Sequence, residues 1–162
     1  EYEAFNTSGG LGTLCETLAG RAQALDYKSV RYPGHRQLMK FLLEEVPLIR
    51  DTAALQSILR RAIPSTMQDV VLVFVTVSGM KRGSLVQEVF ARKIFADRDE
   101  ARPLSAIQIT TAAGVCAAVD LFRAGALPSH GFIRQEQVAL PAFLDNRFGQ
   151  AYRQSRQVES IG

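Results

Sequence analysis

Residues 70–77 read Val-Val-Leu-Val-Phe-Val-Thr-Val, with no polar face in the run. A β-branched segment apolar on both sides predicts a central strand covered on two faces. Gly79-Met80-Lys81-Arg82-Gly83-Ser84 then reads as a hairpin connection. Residues 85–97 alternate more and carry charge, so they predict a partner strand with one wet face or an edge position. Further on, residues 107–124 are apolar at helical spacing and form the longest predicted helix. Its small residues Ala113, Gly114, Ala117 and Ala118 permit close approach to a sheet, Leu121 and Phe122 fill the gap beyond, and Gly125 ends it.

The first half is more broken. Residues 1–6 and 25–32 read as strands. Residues 11–18 read as a short helix, with Leu11, Leu14, Cys15 and Leu18 on one side and Gly20 at its end. In residues 25–32, alternation puts Tyr27, Ser29 and Arg31 on one face and Lys28, Val30 and Tyr32 on the other. Pro33-Gly34 turns the chain into a helix with Leu38, Met39, Leu42, Leu43 and Val46 on one stripe, closed by Pro47. Asp51 or Thr52 caps another helix, with Leu55, Ile58, Leu59 and Ala62 inward and Pro64 at its end. Residues 97–103 form a charged loop, residues 126–133 a loop leading to a short strand or turn, and residues 134–152 an interrupted helical region. The polar tail 153–162 frays. The fold class is therefore α/β or α+β: one mixed β-sheet with helices packed on it, where the hairpin demands some antiparallel pairing.

With 162 residues the chain fits one domain, taken as 1–152 plus the tail. It begins without Met, directly on a strand-like segment, and is read as a piece of a longer protein. The composition, 47% apolar and 22% charged, is that of a soluble globular chain, and the run at 70–77 is too short to span a bilayer. Neither a membrane nor a signal peptide is expected. A net charge of +3, spread as pairs interleaved with acids and with no aromatic platforms, argues against nucleic-acid binding. Cys15 and Cys116 are expected as free thiols of a reducing cytoplasm. Two histidines and no clustered cysteines argue against zinc.

Gly10-Leu11-Gly12-Thr13-Leu14-Cys15 nearly fits the dinucleotide pattern G-x-G-x-x-G, with Cys at the last place and Asp26 sixteen residues after Gly10. Three features weigh against it. The preceding strand is short and polar, Cys15 carries a side chain where close packing needs glycine, and no run of alternating parallel strands and helices follows. Asn6, Thr7 and Ser8 instead end a strand just before a helix. Either they and the loop amides bind a carboxylate or phosphate, or they cap the helix and the glycines make a turn.

The order of Glu3-Ala4-Phe5-Asn6-Thr7-Ser8-Gly9-Gly10, then Tyr27-Lys28-Ser29-Val30-Arg31-Tyr32-Pro33-Gly34-His35 and a Leu-rich helix, resembles the non-Rossmann domain of the saccharopine dehydrogenase-like oxidoreductases. These include relatives of saccharopine reductase and lysine 6-dehydrogenase. The strand from Asp69 to the Gly79–Gly83 hairpin, the long helix with Thr110-Thr111 near its start and the segment from His130 to Leu144 are similar to later parts of that domain. The resemblance covers residues 3 to about 150, and Arg31-Tyr32-Pro33-Gly34-His35 is its most specific piece. It departs from the family pattern at Ser29, where Thr is usual, in the longer loop Ser8-Gly9-Gly10, and at Arg134-Gln135.

That resemblance implies a fold like the C-terminal domain of glyceraldehyde-3-phosphate dehydrogenase. It implies an oxidoreductase acting on CH–NH groups of an amino acid, with NAD or NADP bound by the protein's own N-terminal Rossmann domain, which is absent here. It also implies a homodimer in the cytoplasm and no activity for this chain alone. A substrate with two or three carboxylates calls for a guanidinium, which grips a carboxylate through two parallel hydrogen bonds. Arg31 is the first candidate, against a structural ion pair with an acid such as Glu3. Lys28, on the opposite face, is a weaker one. Tyr32 is either an O–H donor to ligand or packing. His35 is either a proton carrier or a cap. Thr110 and Thr111 either bind ligand or cap and pack. The rival reading is a non-catalytic small-ligand-binding or dimerisation module.

Overall fold

A two-residue turn organises the second half of the chain. In this computed structural model, which describes residues 1–7, 10–63, 66–97, 101 and 103–153, Arg82 and Gly83 both take positive φ, +54° and +83°. Positive φ at both central residues is what a tight hairpin turn needs to match the twist of its strands. The turn joins β3 (Val70–Lys81) to β4 (Ser84–Phe95), which pair antiparallel from Val70↔Phe95 to Lys81↔Ser84. Gly79 sits inside the strand opposite Val86, so the connection is shorter than the sequence implied.

Residues Glu1–Ser65 and Thr66–Gly162 form two compact units. The second holds the hairpin, α4 (Ala106–Arg123), α5 (Leu140–Asp145) and 3-10 turns at Gln135–Gln137 and Gly149–Tyr152. Ser105 and Gln108 close a capping box on α4, and the Ala106 amide donates to Asp69 Oδ2 at 2.7 Å. Two acceptors thus satisfy orphan amides at that helix start. At the other end, the Gly125 amide donates to Phe122 O and the Ala126 amide to Leu121 O, both at 3.0 Å, the paired bonds of a glycine-terminated helix.

Ala106, Thr110, Ala113, Ala117 and Leu121 are the buried stripe of α4, and Ile94 and Ala96 are buried at the end of β4. The small residues allow the close approach that their spacing predicted. Phe122 does not join them; it is 46% exposed. Directly opposed residues of an antiparallel pair share a face. On one face Val71, Val73, Arg92 and Ile94, towards the open end of the hairpin, are half-buried to buried, while Val75 and Val77 nearer the turn are exposed; the other face carries Leu72, Phe74, Met80, Leu85 and Val89, all exposed. The expectation of a central strand covered on both sides is thereby corrected: among the described residues β3 has one neighbour and α4 covers one face.

α4 is also long and apolar enough to cross a membrane, with 18 residues and mean hydropathy 1.2. Its buried stripe faces its own unit, however, and it carries Asp120. That carboxylate accepts from Asn146 Nδ2 at 2.8 Å and from the Arg147 guanidinium at 2.7 and 3.3 Å. Arg147 first, then Asn146, hold the Asp120 carboxyl below its ordinary range.

The first unit contains β1 (Glu3–Asn6), α1 (Leu14–Thr17), β2 (Lys28–Arg31), α2 (His35–Lys40) and α3 (Thr52–Ala62). α2 runs into a π-helical turn at Phe41–Glu45, followed by a 3-10 turn at Leu48–Arg50. Asp51, not Thr52, caps α3, its side chain accepting from the Ala54 amide at 2.9 Å. Met39, Leu42, Leu43, Leu55 and Leu59 are half-buried, while Leu38, Val46 and Ile58 of the predicted stripes are exposed. Pro64 and residues 154–162 lie outside the described residues.

β1 and β2 pair antiparallel with Glu3↔Arg31, Ala4↔Val30, Phe5↔Ser29 and Asn6↔Lys28. The fold is α+β, and the described strands form two separate antiparallel sheets of two strands each instead of one mixed sheet. The reason is local: each pair closes within its own unit, and no described helix crosses between parallel strands.

Candidate functional site

Four residues explain why the chain turns at Arg31-Tyr32-Pro33-Gly34-His35. Pro33 supplies a fixed φ, Gly34 adopts φ +88°, and the His35 amide donates to Tyr32 O at 3.2 Å. This is a type II turn, which requires positive φ at its third residue and so selects glycine. The Glu3 carboxylate reaches across from β1 and accepts the amides of Gly34 and Arg36. The hydrogen bond from the Arg36 amide, then that from the Gly34 amide, hold the Glu3 carboxyl below its ordinary value, against a smaller opposing effect of desolvation.

His35 opens α2 beneath this cap. Its ring stacks on Phe5, with centroids 6.1 Å apart and planes at 14°, and meets Tyr32 edge-on at 5.1 Å and 87°. Its Nδ1 is buried with no hydrogen-bond partner. Tyr32 itself is 53% exposed. Arg31 is exposed and its guanidinium donates to the Val30 carbonyl at 2.8 Å. Glu3 lies directly opposite Arg31 in register, yet no ion pair joins them, because the Glu3 carboxylate is turned to the α2 amides.

Asn6 and Thr7 stand elsewhere, at the end of β1. With Gly10, Leu11, Gly12, Leu25, Asp26 and Tyr27 they line an open cleft of about 280 Å³. Thr7 Oγ1 and Ser29 Oγ share a hydrogen bond at 3.0 Å. The Tyr27 ring lies against Gly10 so closely that a Cβ there would collide with it. Ser8 lies outside the described residues. The predicted helix over 11–18 shrinks to α1, whose first flanking residue is Thr13, so the idea that Asn6 and Thr7 cap it is corrected.

The structure therefore groups the first-unit candidates in two places: Asn6 and Thr7 at the cleft, and Arg31, Tyr32 and His35 at the turn. Thr110 and Thr111 belong to the second unit. Thr110 is 5% exposed; its hydroxyl donates to Ala106 O at 2.9 Å and its carbonyl accepts from Tyr152 O–H at 2.7 Å. Burial raises the Tyr152 phenol. Thr111 is exposed.

Two residues were not singled out as site candidates from the sequence. By sequence Asp26 is only an ill-spaced ribose acid, and Glu3 only a partner for Arg31. A dinucleotide does not fit the cleft. In a dinucleotide fold the strands on either side of the glycine loop are parallel and joined by a long helix; here β1 and β2 are antiparallel and α1 has four residues. Among the described residues, no group of three or more His, Cys, Asp or Glu is placed to hold a metal. No family model matches the chain, and no solved structure matches it.

Proposed function

We propose that this chain is the substrate-binding and dimerisation domain of an NAD(P)-dependent oxidoreductase of the saccharopine dehydrogenase-like type, acting on CH–NH groups of an amino acid with more than one carboxylate. On this reading the fold is a divergent relative of the C-terminal domain of glyceraldehyde-3-phosphate dehydrogenase. The cofactor is held by a Rossmann domain elsewhere in a cytoplasmic, dimeric protein, and no chemical step is assigned to this chain.

One observation carries the reading. Arg31 stands beside a turn built around Pro33 and Gly34, and its guanidinium, which has five N–H donors, has no acidic partner among the described residues. A solvent-facing guanidinium held on a strand beside a rigid turn is the group a carboxylate ligand requires. Tyr32 and His35 belong to the same turn, where their rings meet edge-on. The test is kinetic. In the longer protein, Arg31→Lys should raise KM for a dicarboxylic amino acid about tenfold or more, the loss of one charged hydrogen bond. The isolated 162-residue chain should show no NAD(P)H-dependent turnover. Unchanged kinetics in Arg31→Lys, or turnover by the isolated chain, would reject the proposal.

A second reading, a non-catalytic interaction module, draws on a different observation: the outward face of the hairpin exposes Leu72 and Phe74 towards one end and Met80 and Leu85 at the other, with Thr76, Ser78 and Gln87 between them. Exposed apolar patches of this kind mark a surface used in association. The reading frame before Glu1 separates the two. A central apolar strand followed by G-x-G-x-x-G about one hundred residues upstream, an offset set by domain size, favours the oxidoreductase.

A further inference from the structure

The cleft beside the glycine loop has a charge opposite to the one its sequence implied. Of the described residues that line it, Asp26 alone is charged at neutral pH; the others are Asn6, Thr7, two leucines, two glycines and Tyr27. No lysine or arginine lines it, and no ion pair or hydrogen bond occupies the Asp26 carboxylate among the described residues. A carboxylate or phosphate placed there would meet an uncompensated negative charge. A cation would not.

We infer that this cleft is a binding site for a primary ammonium group on a short aliphatic stem. An ammonium has three N–H donors and no acceptor. Asp26, Asn6 and Thr7, all lining residues, carry side-chain oxygen acceptors, of which the Thr7 hydroxyl also bonds Ser29 Oγ. Leu11 and Leu25 offer apolar surface to the methylenes, and the Tyr27 ring is a further favourable surface for a cation. At about 280 Å³ the cleft is at the small end of ligand sites, so it holds one end of a small molecule. Gly10 sets its shape, because only a residue without a side chain lets the Tyr27 ring lie where it does. This deepens the amino-acid-binding reading and rests on it: the ammonium end goes to Asp26, and carboxylates go to Arg31.

The experiment is a pair of NMR titrations of the full 162-residue chain, with n-butylammonium and with glutarate as probes. Butylammonium should shift the amides of Asn6, Gly10, Gly12 and Asp26 saturably, and more weakly as salt is added. Asp26→Asn should weaken that binding roughly threefold or more, the size of an exposed charge pair, while Asp26→Glu retains it and circular dichroism is unchanged. Glutarate should leave the cleft amides unmoved. Cleft amides that ignore butylammonium, or that respond to glutarate, would overturn the site. Glutarate binding lost in Arg31→Ala would still leave the wider reading standing, so the two failures are distinct.

Discussion

The carboxylate of Glu3 accepts the backbone amide of Arg36 at 2.7 Å, tying the first strand to the start of a helix more than thirty residues later. The same carboxylate takes the Gly34 amide at 3.0 Å. Two of the orphan amides at the start of α2 are thus satisfied by a residue distant in sequence, and no side chain next to that helix performs the task.

Glu3→Gln should therefore loosen the β1–α2 junction. The Glu3 carboxyl is held below its ordinary 4.5, so its stabilisation is complete above that value and is lost as pH falls through the lowered one. Thermal melts of the native chain should lose stability on acidification below the ordinary carboxylate range, and Glu3→Gln should remove that part of the dependence. At neutral pH the variant should melt a few degrees lower, the scale of a lost cap. An identical acid profile in both proteins would contradict the cap.

Gly34→Ala isolates backbone strain. Nothing lies within 4 Å of a Cβ at this position, so steric crowding contributes nothing. The cost comes from φ +88°, which an L side chain resists by about 1–2 kcal/mol. Denaturant unfolding should show that loss, together with faster amide exchange at His35, whose bond to Tyr32 closes the turn.

Arg82→Asn tests the hairpin. Arg82 holds φ +54°, where asparagine is far more tolerant, and Asn-Gly is a favoured pair for such turns. The variant should gain about 0.5–1 kcal/mol, a typical benefit of matching residue to turn, read as a higher denaturant midpoint with unchanged slope. Lys81 and Glu88, paired at 3.5 Å near the turn, are exposed at their side chains and should add little.

The sequence by itself determined what depends on neighbours a few residues apart. A hairpin at Gly79–Gly83 and its two strands, a long helix with small residues from Ala113 to Ala118, a cap at Asp51 or Thr52 and the Gly125 stop follow from turn chemistry, periodicity and capping, all local effects; the structure shortens the connection to Arg82-Gly83, gives the cap to Asp51 and leaves Phe122 exposed. Tertiary structure alone decided that Glu3 caps α2 instead of pairing with Arg31, that β1 lies antiparallel to β2, and that Asp26 faces the same hollow as Asn6 and Thr7. Those contacts join segments about twenty to thirty residues apart, and a carboxylate's choice between a guanidinium and two helix amides is set by where the backbone brings them. No pattern along the chain encodes that distance. For the same reason the apolar run at 70–77 could announce two buried faces although one helix covers only one of them: periodicity records which residues avoid water, not how many elements are present to shield them.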